Sequence, residues 1–153
     1  MQLYSDYNFL NDNLAALGSR IRAKQEEAVK EICNHVEAAA RELSLLRFAN
    51  FENELYQNIF LFVVSGGNIC EKIGGILAML ELIDCTSAAA EQKVVTFANT
   101  LSNALKANTE FEIIELVAEA LGQMAKSSSV SQVDYVENEL TQALNWLREP
   151  NNQ

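Results

Sequence analysis

A pattern of apolar residues recurs about every 40 residues along this chain, and few folds can satisfy it. Its clearest copy is the stretch 68–84, NICEKIGGILAMLELID. Ile69, Ile73, Ile76, Leu77, Leu80 and Ile83 fall there at three- and four-residue steps, so they share one broad helical face. Gly74 and Gly75 sit in the middle, and each weakens an isolated helix by roughly 1 kcal/mol against alanine. Such a helix needs neighbours that pack closely on it, and the chain supplies copies. Shifted by 41 residues, Ile73, Ile76, Leu80 and Ile83 land on Ile114, Val117, Leu121 and Met124. The next apolar stripe, Val94, Phe97, Leu101, Ala104 and Leu105, lands 39 residues later on Val133, Val136, Leu140, Ala143 and Leu144. A looser copy lies 44 residues earlier, at Val29, Ile32 and Val36.

A two-helix unit of about 40 residues, three times over, has the period of HEAT or armadillo repeats. The expected fold is all-α, a superhelix of about three helix pairs spanning 19–67, 68–107 and 108–148. A closed six-helix bundle needs the same amphipathicity but not the repeat. Composition agrees with long helices: the chain has one proline, Pro150, and six glycines, too few turn residues for an all-β or α/β chain of this length. Residues 1–18 read as a lead-in containing a short helix closed by Gly18, and 149–153 as a tail continuing into further repeats. Between them, helices are expected over 19–43, over 51–65 after an Asn50 cap, and over 68–84 with Asn68 and Glu71 as a capping box. Thr86 or Ser87 then opens the next helix. Thr109 with Glu112, and Ser131 with Asp134, open the last two.

The net charge of -10 is uneven. Up to Phe48 six basic residues face seven acidic ones, and from Ala49 onward five face fourteen. This argues against nucleic acid or an anionic membrane as partner and leaves a solvated surface or an acidic docking face. Cys33, Cys70 and Cys85 are odd in number and lack a CxxC spacing. The first ten residues lack a positive n-region, and the longest purely apolar run is 59–64. The expectation is a reduced, cytoplasmic protein without membrane insertion.

Candidate chemistry is sparse. His35, the one histidine, has Cys33 two residues before it, but no second pair stands at ligand spacing for zinc. Gly66-Gly67 follows an apolar run and precedes a helix, yet lacks GxGxxG or GK[ST], so it reads as a helix terminator. Glu112, Glu115 and Glu119 share a helix face and read as solvated. The expected catalytic residues, metal ligands and cofactors are therefore none. Tyr135 and Trp146 lie on one side of the last helix, off its apolar stripe. They suit packing against a further repeat or a partner protein, the first being favoured.

Several strings together resemble one family: LGSR at 17–20, VKEI at 29–32, IFLFVVS at 59–65, EKIGGILAMLELI at 71–83, TFANTLSNAL at 96–105 and YVENELTQALNWL at 135–147. In order and spacing they resemble the N-terminal HEAT repeats of the target-of-rapamycin (TOR) protein kinases, over residues 14–148. The connection at 86–92 departs from the family's pattern. The resemblance implies a parent with a long HEAT solenoid, a helical FAT region, a rapamycin-binding domain and a C-terminal kinase domain. This chain carries no DFG or HRD aspartate and no glycine-rich ATP loop. The implied role is a non-catalytic scaffold in growth signalling, contacting a raptor-type regulatory subunit and other parts of the same kinase, with recruitment to endomembrane surfaces as part of a complex. The alternative is a stand-alone HEAT/armadillo adaptor with an acidic binding face.

Overall fold

In a computed structural model, the described residues are 6–65, 68–107, 110–127, 141, 142, 144 and 145. They form α1 (Asp6–Leu17), α2 (Arg22–Glu42), α3 (Leu45–Ser65), α4 (Ile69–Leu82), α5 (Ala90–Ala107) and α6 (Phe111–Ser127), and the last four described positions are helical as well. The described residues contain no strand.

Most of the apolar stripe read from the sequence is buried, Ile69 at 36% exposure being an exception. Ala28, Val29, Ile32, Val36 and Ala39 of α2 are buried, as are Leu55, Ile59 and Val63 of α3. So are Ile73, Ile76, Met79, Leu80 and Leu82 of α4. Phe97, Leu101, Ala104 and Leu105 of α5 and Ile113, Val117, Leu121 and Met124 of α6 complete one continuous core. Phe97 is its aromatic centre. Tyr56 and Phe60 of α3 meet it edge-on, at ring-centroid distances of 5.1 and 5.6 Å.

The helices lie in two layers. α2, α4 and α6 are neighbours in one, and α3 and α5 in the other. Bonds at both ends show that α2, α4 and α6 run in the same direction. Gln25, near the start of α2, donates to the Cys70 carbonyl at the start of α4. Arg22 reaches Glu112 at the start of α6, and Gln123 of α6 reaches Leu80 and Asp84 at the end of α4. α1 packs on α2 and α4. This alternation of layers is a solenoid-like all-α arrangement. The second helix expected for the third pair lies outside the described residues apart from 141, 142, 144 and 145. Of these, Leu144, which the 39-residue register places on the inward stripe, is 42% exposed.

Three helix starts differ from expectation. α5 begins at Ala90, past both Thr86 and Ser87, and the Ser87 hydroxyl accepts from the Ala89 N–H ahead of the helix. α3 begins at Leu45, not at Phe51. The Ser44 hydroxyl accepts from the Arg47 N–H at 3.3 Å and caps it, while Phe48 is buried. Leu45 and Leu46 in that first turn point outward, at 73% and 72% exposure, which hid the extra turns from a periodicity reading. α2 begins at Arg22, because the Ser19 hydroxyl accepts from Ile21, ahead of the helix.

α4 is the shortest helix after α1 and touches α1, α2, α3 and α6. Its start is as expected: the Asn68 side chain accepts from the Glu71 N–H at 3.0 Å. The glycine pair explains how it fits. A Cβ on Gly74 would strike the backbone carbonyl of Leu17, at the end of α1. A Cβ on Gly75 would lie 2.7 Å from Val63 Cγ2 and 3.2 Å from Phe62 Cβ on α3. α4 is thus gripped on two sides through positions that have no side chain. Gly122 in α6 has open space where a Cβ would go.

The glycines should therefore separate in a urea-unfolding series. Gly74→Ala should destabilise by about 2 kcal/mol or more, since a backbone carbonyl cannot swing aside and overpacking outweighs the gain in helix propensity. Gly122→Ala should instead stabilise by up to about 1 kcal/mol. Equal stabilities for Gly74→Ala and wild type would mean that α1 and α4 do not approach so closely.

Candidate docking surface

An open groove runs along the α2–α4–α6 layer, with the short α4 as its floor. Val29, Leu77, Leu80 and Leu116 supply apolar surface, and Arg22, Lys30, Glu26, Glu81 and Glu119 supply charged edges. Its volume is about 470 Å³. The Arg22–Glu112 pair, 2.6 Å apart, bridges α2 and α6 at one end. Both side chains are about half exposed, so the pair adds little stability and serves mainly to set the edge. Of the three acids expected on one face of α6, all are exposed. Glu112 is held by Arg22, and Glu119 lines the groove.

Beyond the groove's other end, the connection between α4 and α5 is fastened by polar side chains. Lys93 is buried, and its ammonium donates to the carbonyls of Leu82 and Cys85 at 2.8 and 2.9 Å. It thereby satisfies carbonyls at the end of α4, where a helix leaves them unpaired and where its dipole favours a cation. Burial pulls the Lys93 amine below its ordinary range, partly offset by nearby Cys85, Glu52, Asp84 and Glu37. Glu52, buried on α3, accepts from the Tyr56 hydroxyl and from the Ala88 N–H, both at 2.7 Å. Glu37 of α2 accepts from the Thr86 N–H and hydroxyl at 2.7 and 3.0 Å. The small cavity beside this clamp, about 130 Å³ and lined by Glu52, Tyr56, Phe60 and Lys93 among others, is below the roughly 300–1,000 Å³ of ligand sites.

Tyr135 and Trp146, the candidate partner-binding residues, lie outside the described residues, as do Gly66 and Gly67. His35 sits against the Phe51 ring at 5.5 Å, as a half-buried packing residue does. No cluster of three or more metal-ligating side chains occurs among the described residues, and no described helix is long and apolar enough to cross a membrane. The clamp residues Glu37, Glu52 and Lys93 were missed in the sequence. Lysine and glutamate are surface residues by default. Their one sequence signal is Lys93's place in the first turn of α5, where an acidic residue is usual.

The Tyr56 phenol is held well above its ordinary range, by burial first and by its bond to Glu52 second. In the unfolded chain it ionises near pH ~10, whereas in the fold it keeps its proton. Its contribution to stability is therefore complete below about pH 10 and is lost as pH rises further. Lys93 changes stability in the opposite sense, because a depressed amine favours the fold as pH rises toward its unfolded value. That term is common to wild type and a Tyr56 variant. Tyr56→Phe should lose about 1–3 kcal/mol at neutral pH by removing a donor from buried Glu52. The two proteins should converge in urea unfolding above about pH 10. A gap that stays constant through that range would show that the phenol does not titrate with folding.

No protein-family model matches the chain, and neither does any solved structure. Curated proteins do match. The chain is 29% identical over 148 residues to the serine/threonine-protein kinase tor1 of Schizosaccharomyces pombe, a match covering 97% of the chain and 6% of that kinase. It is 32% identical over 113 residues to the serine/threonine-protein kinase TOR of Oryza sativa, covering 74% and 4%. It is 29% identical over 149 residues to the serine/threonine-protein kinase TOR2 of Saccharomyces cerevisiae, covering 95% and 6%. The chain thus spans only 4–6% of the length of these relatives.

Proposed function

The chain belongs to the TOR serine/threonine kinase family as a short segment of it, and from that premise we propose that it is a non-catalytic docking segment, part of the N-terminal HEAT solenoid of a TOR-type kinase. Its work is to present a rigid helical surface to other proteins of a growth-signalling complex in the cytoplasm. The observation that carries this reading is the groove over α4, apolar on its floor and charged on its rim, between helices held at both ends. Apolar floor with charged rim is the pattern of protein interfaces, in which the buried centre supplies affinity and the rim supplies choice of partner. The partner proposed is a raptor-type regulatory subunit. Three of the five charged groove residues are acidic, and the chain as a whole carries a net charge of -10, so a basic face on that partner fits best.

The reading is tested in a binding assay between the chain and a purified raptor-type subunit. Glu26→Lys with Glu119→Lys, both exposed and neither in the core, should weaken binding at least about tenfold, and Leu116→Ala should act in the same direction. Tyr135→Ala with Trp146→Ala tests the other candidate surface. Loss of binding in this second pair alone would move the docking site to the last helix and overturn the groove. Unchanged affinity in every variant would overturn docking of that subunit altogether.

A further inference from the structure

We propose that the edge of the fold at the starts of α2, α4 and α6 is a second docking surface, which takes a short acidic segment of a partner protein carrying apolar side chains. Exposed large apolar residues gather at this edge. Ile21 precedes α2, Ile69 opens α4 and Phe111 opens α6, at 53%, 36% and 76% exposure. The three helices run in the same direction, and the Gln25–Cys70 and Arg22–Glu112 bonds bring their starts together. Ile21 and Phe111 are the chain neighbours of that ion pair, so it sets both at one place. α3 ends four residues before Ile69, which adds exposed Val64. Scattered singly, such residues need no explanation, but four at one edge form a patch of the kind that marks an interaction site.

Charge selects the partner. The basic residues here are Arg20, Arg22, Lys24, Lys72 and Lys106, five of the chain's eleven. The acids are Glu71, Glu110 and Glu112, three of its twenty-one. Lys106 belongs to this edge because α5 ends four residues before α6 begins. The edge is therefore net positive by two, which leaves -12 for the rest of the chain. Glu112 is taken by Arg22, and Arg20, Lys24 and Lys106 stand exposed. An apolar patch rimmed by cations complements an acidic segment with apolar residues. An anionic lipid surface would instead meet the repulsion of the remaining -12. A handful of side chains is far short of the roughly 20–30 residues a side of a stable folded interface, so a short segment fits better than a second copy. Neighbouring helices pack about 8–10 Å apart, close to the ~9 Å turn of a polyproline-II chain. Apolar residues at every third position of the segment can therefore meet neighbouring helix starts.

The test titrates the chain against a fluorescein-labelled peptide, DEFDELDEFDEL, by fluorescence anisotropy at low salt. Binding should be saturable and should weaken as salt rises. Arg20→Glu with Lys24→Glu should weaken it at least about tenfold, and Ile21→Ser and Phe111→Ser about threefold or more each. The peptide DESDESDESDES, equal in charge, should bind at least about tenfold more weakly than its apolar counterpart. Glu26→Lys with Glu119→Lys, in the groove, should not weaken peptide binding, and the edge variants should leave binding of the raptor-type subunit unchanged, so the two surfaces stand or fall separately. All the substituted residues are exposed, and circular dichroism checks that each variant keeps its helices. No saturable binding of the acidic apolar peptide, equal binding of the serine peptide, unchanged affinity in every edge variant, or loss of peptide binding in the groove variant would each overturn the proposal. So would capture of the chain by phosphatidylserine vesicles without peptide binding, which assigns the edge to lipid, or a dimer that Phe111→Ser dissociates, which assigns it to a second copy.

Discussion

The close approach of α4 to α1 and α3 is the constraint on which the rest of the structure depends. Gly74 lies under the Leu17 carbonyl and Gly75 against Val63 and Phe62, so α4 comes nearer to both neighbours than side chains would permit. Gln25 reinforces the junction from the buried side. Its amide donates at 2.8 Å to the carbonyls of Leu17 and Cys70, joining the end of α1 to the start of α4 through α2. Two strings that carry the family resemblance, LGSR and EKIGGILAMLELI, therefore meet in space, and even Gly18 faces Glu71 there. The glycines weaken α4 as an isolated helix, and the contacts they permit with two neighbours supply the compensating dispersion.

At the other end polar groups add to the packing of buried Met79, Leu80 and Leu82. Lys93 occupies its last carbonyls, Gln123 reaches it from α6, and Glu37 and Glu52 hold the chain that leaves it. Burying Lys93 and Glu52 opposes folding by desolvation, and their bonds to backbone groups offset this. Such an arrangement is better suited to specifying one path for the connection than to adding net stability. The backbone groups these residues bond run from Leu80 to Ala88, across the end of α4 and the connection to α5.

Much of the architecture was legible in the sequence because helix faces repeat. The stripes through Ile76, Phe97 and Val117 needed only local periodicity, and the Asn68 cap needed only a three-residue spacing. The start of α3 was not legible, since Leu45 and Leu46 are apolar and exposed while Ser44, not Asn50, is the cap. The clamp was invisible for a different reason. Glu37 and Thr86 are 49 residues apart, Glu52 and Ala88 are 36, and nothing in either segment announces the other. The groove shares this limit: its acids and leucines were visible singly, but their convergence depends on α2, α4 and α6 lying side by side.

A groove floor matters for docking only if it stays where it is. Association loses affinity to every side chain and segment that must be ordered on contact, so a surface whose parts are already held binds better than a mobile one of equal area. Here the floor helix is held at its start by Gln25 and Asn68, at its middle by the glycine contacts, and at its end by Lys93 and Gln123. The rim is different: Glu26, Lys30, Glu81 and Glu119 are exposed to solvent. For the proposed docking, rigidity beneath and charge above would let the apolar floor supply affinity and the rim select among partners, and the two glycines contribute to that rigidity by the close contacts they allow with α1 and α3.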